Sequence, residues 1–148
     1  DDAELHHERA WTLNPNDPRI VAQRGQLYTW IGRAEEGASW IELARRLDPY
    51  PLDSRADSLG LALFVARHYK PAITAYRLIG SPTAEQHACL AGCYAALGLA
   101  EQAERYAQQV RLADPGFTAR RYVSLLPYQR DDDRTHHREA LCKAGLPD

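Results

Sequence analysis

Methionine is missing from all 148 residues, and the sequence opens in mid-pattern at Asp1. Together these lead to the expectation of an excised or processed piece of a longer protein, whose catalytic part, if any, lies outside it. Cysteine is scarce: three residues, an odd number, argue against a disulfide framework and for reduced thiols in a cytoplasmic setting. Long apolar runs are absent too, so no stretch is expected to cross a membrane. Net charge is only −2 with both signs interspersed, which leaves no basic field to hold nucleic acid. Neither a glycine-rich phosphate loop nor a Gly-x-Ser-x-Gly elbow occurs. What is present is ordinary for a globular chain, with 45% hydrophobic and 26% charged residues and eight Tyr and three Trp to fill a core.

The informative feature is a repeat. Pro15, Pro49, Pro82 and Pro115 are spaced 34, 33 and 33 residues apart, and three of them close similar tails, as in Ala44-Arg45-Arg46-Leu47-Asp48-Pro49 and Val110-Arg111-Leu112-Ala113-Asp114-Pro115. Proline cannot continue a helix and biases its predecessor out of the α region, so each marks a stop. Within each period Gly25, Gly60 and Ala91 are each followed twelve residues later by Gly37, Ala72 and Ala103. Ile41, Tyr76 and Ala107 come four further on. Small residues at such points let two antiparallel helices approach, and the larger ones fill the space beside them.

This pattern resembles the tetratricopeptide repeat. The resemblance implies an all-α, right-handed α-α superhelix with units at 16–50, 51–82 and 83–116. Residues 1–15 then supply the second helix of a truncated unit, and 117–148 supply capping helices. Gly60 to Ala91 is 31 residues against 35 from Gly25 to Gly60, so the second helix of the middle unit is predicted to stop about one turn early, near Gly80 as a left-handed cap. Helices are also expected over 117–125 and 133–144, covering the apolar face of the last unit. Asp131–Asp133 would cap the final one. The N-terminal edge, lacking its partner helix, is predicted to pair with a second copy or with the parent's own domains.

The ending Glu139-Ala140-Leu141-Cys142-Lys143-Ala144-Gly145-Leu146-Pro147 is similar to the C-terminus of bacterial proteins that join a class III adenylate/guanylate cyclase-like domain to such repeats. That resemblance implies a regulatory or oligomerising role. The alternative is a spacer or effector-binding region of a winged-helix regulator. No cyclase residue lies in this chain, so no enzymatic activity is expected of it.

Three groupings could carry chemistry. In His87-x-Cys89-x-x-x-Cys93 the two cysteines, at i and i+4, share a helical face, but a structural zinc site presents cysteine pairs from turns, so buried thiols and no metal or cofactor are expected. His6-His7 and His136-His137 are adjacent pairs that cannot chelate on a helix, and the sequence predicts solvated surface positions for them. The remaining candidate is the stripe that the first helices turn toward the concave face. Arg19, Ala22, Gln26, Thr29 and Trp30 belong to it in the first unit. Ser54, Asp57, Leu61, Phe64 and Val65 follow in the second, then Glu85, Ala88, Gly92 and Ala95 in the third. Ala22, Asp57 and Ala88 stand where a carboxylate clamp would need Lys and Asn, so the stripe is expected to take an apolar or amphipathic segment of a protein partner, unless a helix of the chain's own fills it.

Overall fold

Side-chain caps mark where three of the helices begin. Asp17 accepts from the Arg19 amide at 2.8 Å and Pro18 takes the first helical position. Thr83 and Gln86 cap reciprocally at 2.9 and 3.3 Å, and Thr118 accepts from the Arg121 amide at 3.2 Å. The computed structural model describes residues 2–14 and 16–148, with backbone alone at residues 2–4, 7, 10 and 13. Every regular element among the described residues is a helix: α1 Asp2–Leu13, α2 Pro18–Trp30, α3 Ala34–Leu47, α4 Leu52–Val65, α5 Tyr69–Tyr76, α6 Ala84–Ala96, α7 Ala100–Ala113, α8 Ala119–Ser124 and α9 Asp131–Lys143.

Helices α2/α3, α4/α5 and α6/α7 form antiparallel pairs, and the pairs stack on one another. Glycine allows the close approach. A Cβ on Gly25 would run into the Ile41 side chain and the Gly37 carbonyl, and one on Gly60 would sit 2.9 Å from the Tyr76 ring. The turns inside the pairs need a left-handed residue, supplied by Gly32 (φ 88°), Gly98 (φ 74°) and, in the middle pair, Arg67 (φ 64°).

The middle pair is cut short more severely than the spacing predicts. Helix α5 has 8 residues against 14 in α3 and in α7. It stops at Tyr76 through a right-handed turn at Arg77, so Gly80 is not its cap; the Gly80 amide instead donates to Asp53 Oδ1 at 3.3 Å. Asp131–Asp133 likewise fail to cap α9. They occupy its first turn after an uncapped Arg130, where their charge favours the helix N-terminus.

The C-terminal segment departs furthest from expectation. Phe117, Ala119 and Val123 are buried around α8, which is tied down where the Ala119 amide donates to the Pro147 carbonyl at 2.7 Å. From α8 the chain turns back along the inner face of the solenoid instead of extending the stack. The Gln129 amide donates to the Trp30 carbonyl at 2.9 Å, Arg130 reaches the Gly32 carbonyl, and Tyr128 packs edge-on against Trp30 at 5.0 Å. Helix α9 then crosses α4 and α6, ending at Gly145 (φ 87°) with Leu146 buried and Asp148 paired to Arg120 and Arg138.

Candidate interaction surfaces

The inner face is formed by α2, α4 and α6, and α9 seals much of it. Phe64 is fully buried beneath two histidines, with ring centroids 5.1 Å from His136 and 4.7 Å from His137. The crossing passes over Gly92, where a Cβ would stand 3.4–3.5 Å from the Phe64, Ala140 and Leu141 side chains. Thr29 is also inside, donating to the Gly25 carbonyl at 2.9 Å. Phe64 and Gly92 therefore leave the set of ligand-facing positions, because the chain's own packing occupies the space beside them, whereas Thr29, though buried, still lines a small pocket with Gln26 and Trp30. Ala22, Val65, Ala88 and Ala95 are buried as well.

The histidine pair corrects a second expectation. His137 is not solvated but fully buried, sharing a 2.8 Å hydrogen bond with the Tyr128 hydroxyl and lying 3.5 Å from the Cys89 sulfur. His136 is half-buried and bonds the Tyr69 hydroxyl at 2.8 Å. Burial, and the neighbouring His136 ring that disfavours a second proton on the pair, lower His137 to about 3; burial and the Arg67 charge lower His136 to about 4. Both rings are thus neutral parts of the packing. His6 is exposed, and the His7 side chain lies outside the described residues. Cys89 and Cys93 are buried, and burial pushes the Cys89 thiol up to about 12, which leaves it unreactive. Among the described residues no group of three or more His, Cys, Asp or Glu is placed to hold a metal ion.

The rest of the stripe stays accessible. Arg19 is exposed and paired with Asp17 at 3.0 Å, Ser54 and Glu85 are exposed, and Gln26 donates to Ser58 at 2.8 Å. Trp30, Asp57 and Leu61 are half-buried and shared by two adjoining pockets of about 210 and 250 Å³. They form an open trough between α2, α4 and α6 beside the α8 end of the returning chain. Burial raises the Asp57 carboxyl above its ordinary value; a hydrogen bond from Gln86 opposes this and the Glu85 charge adds to it.

A larger opening lies on the outer face, hinted at in the sequence by the short middle unit alone. Because α5 is brief, a groove of about 890 Å³ separates it from α3. Leu59 and Leu63 of α4 form its floor, Ala38 and Glu42 one wall, and Thr74, Ala75 and Leu78 the other. Leu78 is 41% exposed, an apolar side chain left partly open to solvent among the described residues. A Glu35–His68 contact at 3.1 Å bridges one end.

No helix is long and apolar enough to cross a membrane among the described residues. No protein-family model matches the sequence, and no curated protein matches it either. Among solved structures the chain is similar to the crystal structure of MamA, at 22% identity and a TM-score of 0.68, over 93% of this chain and 82% of that one. With the paired, stacked helices described above, that likeness makes the fold an all-helical solenoid of the tetratricopeptide type.

Proposed function

We propose that the chain is a protein-interaction scaffold whose partner lays an amphipathic helix into the outer groove between α3 and α5. The observation that carries this reading is the groove itself: its floor is leucine, its rim is charged, and no described segment of the chain covers it. Binding of this kind uses apolar anchors one helical turn apart, for which a volume of about 890 Å³ leaves room. Apolar surface left open on a soluble fold commonly marks a contact site.

The wider setting follows from the sequence. The similarity of 139–147 to the end of cyclase-linked repeat proteins supports a regulatory or oligomerising part of a larger bacterial signalling protein, such as a nucleotidyl cyclase, working in the cytoplasm. Helix α1 supports self-association: Leu5 is 48% exposed, and among the described residues α1 packs on the first pair, with Trp11 edge-on to Trp40 at 5.0 Å. A spacer in a winged-helix regulator is the rival reading, and it needs no binding surface. The two separate by photo-crosslinking in the source cells, with a photoreactive residue at Leu78 in the groove or at Leu112, which is 72% exposed outside it. A discrete adduct from 78 alone is expected. Equal labelling from both positions, or none, speaks for a spacer.

A further inference from the structure

The inner trough contains a carboxylate that has no ion-pair partner among the described residues. Asp57 stands at the junction of the two adjoining pockets, half-buried, with the Gln86 amide as its hydrogen-bond donor and the Glu85 carboxylate as its nearest charge. No Lys, Arg or His lines either pocket, and Asp57 joins no ion pair among the described residues. A carboxylate held partly out of water beside a second one is costly unless a cation compensates it. The walls suit one. Trp30 and Tyr122 face the same space, and aromatic faces attract ammonium and guanidinium groups, while Leu61 and Leu126 can take the aliphatic stem of a long basic side chain.

We propose that this trough binds a lysine or arginine side chain presented by a partner protein, with Asp57 as counter-ion, Glu85 as the second carboxylate at the rim, and Trp30 and Tyr122 as the aromatic walls. An acidic ligand is repelled by the two carboxylates, and a purely apolar one would bury Asp57 with nothing to offset its charge. Size argues for one side chain at a time: a pocket of about 250 Å³ holds an extended lysine but not a helix. The neighbouring pocket of about 210 Å³, edged by Gln26 and Ser58, lies along the same trough and offers hydrogen-bonding groups to the peptide backbone on either side of the basic residue. That continuity favours an extended peptide over a free amine. The assignment rests on the chain being a partner-binding scaffold, though not on the outer groove.

Calorimetric titration of the full chain with a blocked five-residue peptide carrying one central lysine tests it, beside the acetyl-lysine version and methylammonium. Weak binding of the lysine peptide that fades with added salt is expected, with at least about tenfold loss on acetylation. D57N should lose a similar factor while its Tm holds or rises, because the substitution removes the uncompensated charge; a residue serving stability alone would lower Tm instead. E85Q, at an exposed position, should weaken binding less, and it answers the question should D57N fold poorly. Equal affinity for lysine and acetyl-lysine peptides, or an unaltered D57N, would overturn the proposal. Methylammonium binding as tightly as the peptide would overturn the protein source of the cation. Loss of this binding with a groove-specific adduct retained at Leu78 would sink the trough and leave the scaffold reading standing.

Discussion

Helix α4 contributes to both faces of the solenoid, and the two faces are finished in opposite ways. On the inner side Phe64 lies under His136 and His137 and touches no solvent. On the outer side Leu59 and Leu63 floor a groove that stays open beside α5, which has 8 residues against 14 in α3. The same helix, with similar local propensity, is therefore sealed or unsealed according to whether the chain brings another element to it. Stacked pairs bury the surfaces between neighbours as a matter of course; the two faces of the stack depend on what lies outside the repeat.

The most severe way to break this contrast is to empty the sealed side. Phe64→Ala should cost about 3–5 kcal/mol in urea unfolding, as a buried aromatic truncated under two rings. Leu78→Ala on the open side should stay within about 0.5 kcal/mol. Comparable costs would mean that the two faces are not finished differently. Acid tests the seal next. The folded values of about 3 for His137 and 4 for His136 lie below the ordinary 6.5, so below that pH the unfolded chain takes up protons that the fold refuses. Stability is then full above about 6.5 and declines toward the folded values. His137 alone accounts for about 2 kcal/mol at pH 5, and Asp57, shifted upward, opposes this only in the carboxylate range. Urea midpoints at pH 7 and pH 5 measure the fall, which should shrink in His137→Leu. An unchanged midpoint in the parent chain would show the ring to be solvated after all.

Smaller effects sharpen the comparison inside the middle pair. Gly60→Ala drives a methyl to 2.9 Å from the buried Tyr76 ring, and overpacking should cost about 1–2 kcal/mol. A neutral outcome would mean that α5 shifts freely toward the groove. Arg67→Gly should instead stabilise by about 1 kcal/mol, since glycine adopts the left-handed turn at little cost. The gain is read directly as a rise in Tm.

The helix pairs were legible because their determinants are local: Gly25 meets Gly37 and Ile41, and Gly60 meets Tyr76, all within one period. The shortened middle unit was legible too, as a spacing of 31 residues, though the sequence placed its end near Gly80 and the helix stops at Tyr76. The path of α9 was not. Its buried positions, Asp133, His137, Ala140, Leu141 and Ala144, do follow a helical period. An acid and a histidine stand first in that stripe, so a hydrophobic pattern search passes over it. Gly92 next to Ala91 was the available hint, because a second small residue on the inner side leaves room for a crossing helix. With α9 unplaced, the candidate stripe mixed closed positions such as Phe64 with open ones such as Asp57.

The contact of Gln129 with Trp30 joins residues 99 positions apart in a fold whose other contacts are mostly between neighbours. A plain repeat array can fold from either end and lose its units one by one. Here the inner faces of the first two pairs are completed only when residues 125–148 arrive, so during synthesis Trp30 and Phe64 wait uncovered until that segment emerges from the ribosome. At elongation rates of about 5–20 residues per second, that interval lasts several seconds. For that long the nascent chain offers a chaperone, or a neighbouring nascent chain, the Phe64 ring that its mature form conceals.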